Sequence, residues 1–243
     1  MSQDRSPERT ACLAHLESLN VRQYQLHYDG SWFAENTPIG PHTRAVINVS
    51  PNNPTGSVIQ LDTRGVPLIV DEVFADYLLK PHPRILGDFT LNGLSKIAAL
   101  PQMKLGWIVY PPEYRHALEL IADTYLSVSA PIQHAASEWL AAAEGIQAEI
   151  LARLRQNDAF VRKILVGTAL TPLSIDGGWT LPIELPKIRT EEQWACDLLE
   201  HHGVLIQPGY FYDFPREAFI VISLLTEPSI LEEGLKRIVA ALC

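Results

Sequence analysis

The sequence predicts an α/β protein with a mostly parallel sheet in a larger N-terminal domain and a smaller C-terminal α/β domain. Several short runs in the first half are continuously apolar, as strands buried on both faces of a parallel sheet tend to be. After a long helical stretch, strand-like and helical segments alternate again, which favours a second unit. The length of 243 residues allows one large domain or two smaller ones. We expect the boundary near residue 150, giving domains at 1–150 and 151–243.

The first half opens with the signal of a helix start. Ser6 supplies a capping hydroxyl, Pro7 occupies the first helical position and Glu8 adds an acid, and leucines at 13, 16 and 19 give an apolar face. Between Gly56 and Val66 only nine residues remain, so any helix in that connection is about one turn long. Strand-like runs are predicted at 21–26, 45–49, 66–70, 89–91 and 105–110.

From Pro112 onward the pattern becomes helical. The stretch 137–165 is rich in Ala, Leu, Ile, Glu and Gln, and it predicts one long helix or a helix broken at Gly145. The remaining elements alternate, with strands predicted at 173–175, 179–185, 204–207 and 219–224, a helix at 191–201, and an amphipathic helix at 229–242.

Composition and charge exclude several classes of function. A net charge of −9 argues against a protein that binds a nucleic-acid backbone, which would carry a basic patch. The sequence has no apolar signal region at its start and no run of the roughly 18 apolar residues needed to cross a bilayer. The eight histidines are scattered without metal-ligand spacing, and Cys12, Cys196 and Cys243 are too widely spaced for a disulfide framework or a zinc site. We therefore expect a soluble cytoplasmic protein that binds no metal.

Several short motifs stand in a fixed order along the chain. Each alone has an ordinary interpretation, because a lysine in a polar loop is usually solvated and an acid after a strand is usually a loop or cap residue. Their joint occurrence, in order and with matching neighbours, favours a shared site. The motifs are Asn-Asn-Pro-Thr-Gly at 52–56, Asp-Glu-Val-Phe at 71–74, Ser-Lys at 95–96, Lys-Leu-Gly-Trp at 104–107, Gly-Gly-Trp at 177–179 and Pro-Gly-Tyr-Phe at 208–211.

Together these motifs resemble those of the class I/II pyridoxal phosphate (PLP) aminotransferases, and the similarity covers nearly the whole chain. The resemblance implies fold type I, with a PLP-binding large domain on a mostly parallel sheet and a smaller C-terminal domain. It also implies a homodimer with active sites at the interface. The cofactor it implies is pyridoxal 5'-phosphate.

The resemblance assigns a role to each candidate site residue. Lys96 would form a Schiff base (aldimine) with the cofactor aldehyde, and Asp71 would keep the pyridine nitrogen protonated. Asn53 would donate to the ring hydroxyl. Ser95 and Lys104 would hold the phosphate. Lys96 and Asp71 are thus the expected catalytic residues, and all five are expected to contact the cofactor.

The sequence departs from the family pattern in four places. No phosphate-binding turn and no stacking aromatic residue are recognisable before the 52–56 turn, so we expect a large domain that is incomplete at its N-terminus. Phe74 stands where many members have a tyrosine, and Lys104 stands where an arginine usually binds the phosphate. Val221 occupies the position of the arginine expected to clamp the substrate carboxylate, and nothing in the sequence places the nearby Arg216 in the site.

The expected function is a PLP-dependent transaminase that moves an amino group between an amino acid and a 2-oxo acid. An alternative is a shortened non-catalytic remnant that binds PLP weakly or serves as a partner subunit. A lyase or decarboxylase is a third possibility, because fold alone does not determine the reaction type. With few phosphate contacts left, we also expect this chain to bind PLP more weakly than full-length relatives do.

Overall fold

A computed structural model describes residues 14, 17–35, 37–125, 127–216 and 218–242. The helix predicted from Ser6 lies almost entirely outside the described residues. Within them the chain forms two four-stranded sheets and a small hairpin, β1 (Leu26–Tyr28) and β2 (Trp32–Ala34). The strand predicted at 21–26 reaches only the first residue of this hairpin. No helix among the described residues is long and apolar enough to cross a membrane.

The first sheet contains β3 (Val46–Val49), β4 (Leu68–Asp71), β5 (Phe89–Gly93) and β6 (Gly106–Val109), in that order. The pairings β3–β4 and β4–β5 are parallel and β5–β6 is antiparallel, which confirms the predicted mostly parallel sheet. On one face, Val46, Leu68 and Val70 are buried with Leu61 and Ile85.

The strands are not buried on both faces, contrary to the expectation from their apolar runs. Ile47 in β3 is 42% exposed, although Val46 beside it is buried. The connection between β3 and β4 contains no helix and runs in turns and extended backbone. Its residues Val58, Ile59 and Leu61 pack on the face that carries Val46, so this connection covers one side of the sheet and leaves Ile47 on the other.

Helix α1 (Leu94–Ile97) lies between β5 and β6, and helices α2 (Arg115–Tyr125) and α3 (Ala130–Ile164) follow the first sheet. Helix α3 runs without a break through Gly145, which settles the choice between one long helix and a broken one. Its second half contributes the buried residues Leu154 and Val161 to the largest core cluster. The domain division near residue 150 stays a prediction.

The second sheet is antiparallel, with the order β7 (Thr171–Pro172), β8 (Thr180–Glu184), β10 (Phe219–Ser223), β9 (Gln207–Pro208). Helices α4 (Glu191–His202) and α5 (Pro228–Ala240) pack with it. Helix α4 begins where Thr190 and Gln193 form a reciprocal capping box, and it ends at Gly203 in the left-handed conformation.

Two strands of this sheet lie beside the positions that the sequence predicted. Residues 173–175 follow β7 instead of forming it, because the backbone leaves the ladder after Leu173. The Ser174 amide donates to the Tyr28 hydroxyl, and the amides of Asp176 and Gly177 donate to Gly56. Residues 204–207 reach β9 only at Gln207, because the Val204 amide closes helix α4 by donating to Leu198. Local apolar character marked the burial of Leu173 and Ile175 but not the exposure of Leu205, which is 73% accessible, and it misplaced both strands.

A backbone junction joins the two sheets. The Gly56 carbonyl accepts hydrogen bonds from the amides of Asp176 and Gly177, both at 2.9 Å, and the Gly178 amide donates to Tyr77 at 3.0 Å. Gly56 has φ +63°, and a Cβ there would lie 2.4 Å from the Gly177 carbonyl oxygen. Only glycine combines this conformation with so close an approach.

The junction can be tested with Gly56→Ala. Left-handed backbone costs an L-residue roughly 1–2 kcal/mol and overpacking typically adds 1–3, so we expect the unfolding free energy to fall by about 2–5 kcal/mol. Gly65→Ala is the matched control, because Gly65 also has positive φ but has open space around the added carbon. Urea unfolding should show the larger loss for Gly56→Ala, and equal losses would contradict the close packing of the junction.

Candidate active site

The candidate site lies where the parallel strands end. Val49, Asp71 and Leu91 are register partners across β3, β4 and β5, and β5 runs on through Gly93 into α1. The carboxyl ends of parallel strands form one edge of a sheet, which is where α/β proteins bind their ligands. The residues after each strand are therefore brought to the same edge.

Lys96 lies on the single turn of α1. Leu94 beside it is fully buried, and its amide donates to the Leu105 carbonyl at 3.0 Å. Gly93 makes this approach possible, because a Cβ there would lie 2.9 Å from the Leu105 oxygen. On the other side, Gln147 of α3 donates to the Ile97 carbonyl at 3.0 Å. The short helix is thus held from two sides, which fixes the backbone of Lys96.

Three aromatic residues surround Lys96. The Tyr77 hydroxyl donates to the Lys96 carbonyl at 2.5 Å. The Lys96 amine nitrogen lies 5.5 Å from the ring centre of Phe74 and 4.9 Å from that of Trp179. Phe74 lacks the hydroxyl that a tyrosine would place here, and its ring instead packs at the lysine side chain. Trp179 comes from the second sheet unit, so both units contribute to the surroundings of Lys96.

Asp71 ends β4 with its carboxylate oriented by the backbone. Its Oδ1 accepts from the Val73 amide at 3.1 Å, and its carbonyl accepts from Ser50 at 2.9 Å. The next residue, Glu72, is buried and accepts two hydrogen bonds from Arg84, at 2.7 and 2.6 Å. This bidentate ion pair anchors the turn that follows Asp71.

Two ionisable groups at this ion pair, Asp76 and Arg84, have pKa values that are raised by their surroundings. Burial is the main effect that raises the pKa of Asp76 above its usual value, Glu72 adds to the rise, and Arg84 opposes it. Hydrogen bonding to Glu72 is the main effect that raises the pKa of Arg84, so its guanidinium stays charged. Arg84 is therefore the cation that compensates the carboxylate of Glu72.

Asn53 lies in the turn before the junction. Its amide oxygen accepts from the Thr180 hydroxyl at 3.3 Å, and the same hydroxyl donates to the Pro54 carbonyl at 3.0 Å. These contacts come from the residue next to Trp179, so the turn and the tryptophan are positioned together. With its oxygen occupied in this way, the Asn53 amide presents its nitrogen as a donor.

Ser95 and Lys104 flank the contact between α1 and the start of β6. Ser95 is half-buried, and Lys104 is exposed with a left-handed backbone, φ 52°. The Leu94–Leu105 hydrogen bond joins their neighbours, which brings the two segments side by side. An ammonium and a hydroxyl on adjacent segments suit a phosphate, although the ammonium cannot form the paired contacts of a guanidinium.

The structure gives other roles to the two residues considered for binding the substrate carboxylate. Val221 is buried in β10, opposite Pro182 and Gln207, and carries no charge. Arg216 lies 3.6 Å from Glu184 and its guanidinium packs over the Phe219 ring at 5.3 Å. Arg216 is therefore engaged within the second sheet unit.

Sequence reasoning missed Tyr77 and the polar end of Trp179. The Gly-Gly-Trp motif was visible, but nothing in it showed that the ring would reach Lys96. The Trp179 indole nitrogen is buried and finds no hydrogen-bond partner within the described part of the chain. A buried donor without a partner costs about 1–3 kcal/mol, so it is the kind of group that a bound molecule would satisfy.

The residues present fit PLP. An amine, an oriented strand-end carboxylate and an amide donor are grouped at one sheet edge, with a hydroxyl and an ammonium nearby. The unpartnered indole donor lies in the same place, since its ring is 4.9 Å from the Lys96 amine. This donor set matches an aldehyde, a pyridine nitrogen, a ring hydroxyl and a phosphate.

A comparison with known families decides the relationship. Residues 27–238 match the family described as "Aminotransferase class I and II". The chain belongs to the class I and II aminotransferases. This confirms the resemblance seen in the motifs, and the enzymes of this family depend on PLP.

Individual relatives agree with the family match. The chain is 30% identical to the arginine–pyruvate transaminase AruH of Pseudomonas aeruginosa over 226 residues, covering 84% of this chain and 57% of that protein. It is 25% identical to nicotianamine aminotransferase A of Hordeum vulgare, covering 93% and 57%. The chain thus spans somewhat more than half the length of these relatives.

Solved structures show the same fold. N-succinyldiaminopimelate aminotransferase from Mycobacterium tuberculosis matches with a TM-score of 0.80 at 21% identity, covering 94% of this chain and 67% of that one. Alanine aminotransferase from Pyrococcus furiosus matches with a TM-score of 0.80 at 19% identity, covering 96% and 67%. At such identities the likeness concerns the fold, which is fold type I.

The Tyr77–Lys96 contact gives a prediction in alkaline solution. Burial is the main effect that raises the pKa of Tyr77 from 10.0 to about 12, so the folded protein keeps a neutral, donating hydroxyl. Its contribution to stability is present below pH 10 and is lost as pH rises to about 12, because the unfolded tyrosine ionises first. Tyr77→Phe should therefore weaken the pH dependence of the unfolding free energy in this window.

At neutral pH the same substitution should lower the unfolding free energy by about 1 kcal/mol through the lost hydrogen bond. Tyr125→Phe, at a side chain that is 74% exposed, is the control and should change it little. Denaturant titrations across the alkaline range measure both effects. An unchanged slope between pH 10 and 12 in Tyr77→Phe would contradict the assignment.

Proposed function

We propose that this chain carries a PLP site of an aminotransferase that moves an amino group between an amino acid and a 2-oxo acid. What supports the proposal is that Asn53, Asp71 and Lys96 lie at or after the carboxyl ends of three neighbouring parallel strands, in a chain of this family. The transaminases among its relatives, arginine–pyruvate and glutamate–pyruvate enzymes, support the substrate class.

Each candidate site residue has a separate role in the proposed reaction. PLP, when bound, supplies a protonated ring that accepts electrons from the bond broken at the substrate carbon. Lys96 would hold the cofactor at its aldehyde, and its amine, when free, would be the group that accepts and donates the proton. Asp71 holds the proton on the pyridine nitrogen, and Asn53 orients the ring hydroxyl. Ser95 and Lys104 bind the phosphate.

A second candidate is a non-catalytic remnant that binds PLP weakly or serves as a partner subunit. Two observations favour it: Val221 is buried and uncharged where a carboxylate-binding cation would be expected, and Lys104 is exposed. Lyase or decarboxylase chemistry is the third candidate. Product analysis with an amino acid and a 2-oxo acid distinguishes all three, because transfer yields a new amino acid, lyase or decarboxylase chemistry yields other products, and a remnant yields none.

Assembly and location are also part of the proposal. A homodimer is supported by apolar side chains that helix α2 leaves exposed, with Leu120 58%, Ile121 53% and Tyr125 74% accessible. A cytoplasmic location is supported by three cysteines at spacings unsuited to a disulfide framework. Sedimentation of the purified chain tests the first point.

Lys96 should carry the cofactor covalently. Borohydride reduction of the chain with PLP, followed by digestion and mass spectrometry, should place a pyridoxyl group on Lys96. Lys96→Ala should remove the label, whereas Lys187→Ala, at an exposed lysine outside the site, should retain it. Label on a different lysine, or no label at saturating PLP, would contradict the assignment of Lys96 as the cofactor lysine.

Asp71→Asn should leave the fold intact and abolish turnover, because a neutral amide cannot keep the pyridine nitrogen protonated. Circular dichroism and urea unfolding check the fold, and single-turnover conversion of an amino acid to its 2-oxo acid checks the chemistry. Asp62→Asn is the matched control, since Asp62 lies in an exposed turn far from the strand end. Unchanged transamination in Asp71→Asn would rule out the role.

Lys104→Ala should weaken binding of PLP and leave binding of pyridoxal, which lacks the phosphate, unchanged. A charge-assisted contact contributes about 1.5–3 kcal/mol, so the affinity for PLP should fall about tenfold or more. Equilibrium dialysis with both compounds measures the difference. Equal losses for the two compounds would show that Lys104 acts on structure and not on the phosphate.

A further inference from the structure

Lys96 is held at both of its ends by aromatic residues from different parts of the chain. Tyr77 donates to its carbonyl at 2.5 Å, while Phe74 and Trp179 lie 5.5 and 4.9 Å from its amine nitrogen. A lysine ammonium within about 6 Å of an aromatic ring centre is attracted to the ring face. A lysine stem often packs on one ring by chance, but two rings at its amine are a more specific arrangement.

We propose that Trp179 and Phe74 form an aromatic clamp that holds the Lys96 amine in place whenever it is not bonded to the cofactor, with Trp179 as the positioning residue. The inference rests on the proposed function only in taking Lys96 as the cofactor lysine. The clamp gives the side chain a defined position from which it attaches to the cofactor and to which it returns.

The clamp is rigid because its rings brace one another. Phe74 and Trp179 pack edge to face with centres 5.5 Å apart, and Tyr77 and Trp179 do so at 5.2 Å. Such pairs contribute about 0.5–1.5 kcal/mol beyond the area they bury. The Tyr77 amide also donates to the Phe74 carbonyl at 2.9 Å, so both rings on the β4 side belong to one turn.

The backbone of Trp179 is fixed on both sides. Its carbonyl accepts from the Leu224 amide at 2.8 Å, and the preceding Gly178 donates to Tyr77 at 3.0 Å. Gly177 fits only without a side chain, because a Cβ would lie 2.6 Å from the Tyr77 carbonyl oxygen. The Gly-Gly pair therefore lets the second sheet unit come close enough for the indole to reach Lys96.

The position of the amine can be measured without cofactor. Reductive methylation with ¹³C-formaldehyde labels the lysines, and the Lys96→Arg variant assigns the Lys96 methyl resonance. Protons near the face of an aromatic ring resonate upfield, so the Lys96 signal should be shifted upfield in the wild type. The shift should be lost in Trp179→Leu and retained in part in Trp179→Phe. Trp32→Leu, which removes a half-buried indole elsewhere, should leave it unchanged.

The positioning role has its own readout. Pyridoxal joins the Lys96 amine with loss of water, and hydride from cyanoborohydride makes the new C–N bond permanent. The initial rate of this labelling at Lys96, followed by mass spectrometry, should fall about threefold or more in Trp179→Leu, because the amine loses its defined position. Trp179→Phe should react at close to the wild-type rate, because it keeps an aromatic face.

Each possible result either supports or overturns the proposed clamp. An upfield shift that disappears together with a slower labelling rate supports the clamp. An unshifted Lys96 resonance in the wild type overturns it, even if Trp179→Leu fails to fold. A shift that is lost without a change in labelling rate overturns the positioning role. If Lys96 is not labelled in the wild type, the proposed function fails, and the NMR result still decides whether the clamp exists.

Discussion

The backbone junction at Gly56, Asp176 and Gly177 is the constraint on which the site depends. It joins the turn after β3 to the segment before β8, and through Gly178 it also reaches Tyr77. Asp176 strengthens the junction, since its carboxylate accepts from the Val58 amide at 3.0 Å and lies 3.6 Å from the Lys80 ammonium. Without this junction Trp179 would not be held near Lys96, because the two residues lie in segments attached to different sheets.

The arrangement separates a structural ion pair from the carboxylate that we propose acts on the cofactor. Glu72 and Arg84 form a closed pair next to the strand end, which compensates a carboxylate that is buried. Asp71, one residue earlier, points its Oδ1 to the Val73 amide and remains at the sheet edge. Adjacent acids thus have distinct environments. Glu72 directly follows β4, where its amide still donates to the Leu91 carbonyl at 2.9 Å, and successive side chains of extended backbone point to opposite faces.

Much of this fold could be predicted from the sequence, because its signals are local. The apolar runs located β3, β4, β5 and β6, and the alternation of strand-like and helical segments located α4. The strands at 173–175 and 204–207 were misplaced, because their pairing depends on hydrogen bonds to residues distant in sequence, such as Gly56. Leu173 and Ile175 are buried as expected, so burial was predictable where the ladder was not.

In the candidate site, too, the features carried by local sequence could be predicted and those that depend on contacts between distant segments could not. Lys96, Asp71 and Asn53 could be named because their motifs are contiguous and stand in a recognisable order. The aromatic contacts of Lys96 could not be named, since Tyr77 carries no motif of its own and Trp179 reaches Lys96 only through the junction. Likewise, only the structure shows that Arg216 pairs with Glu184. Tertiary contacts between separate segments decide these features.

The central claim is that the strand-end residues and the second sheet unit together form one PLP site on this chain. Titration of the purified chain with PLP, followed by visible absorbance of the lysine-linked cofactor, tests it most directly. The account predicts a saturable visible band in the wild type that is absent in Lys96→Ala. A chain that develops no such band at any PLP concentration, while remaining folded by circular dichroism, would contradict the account.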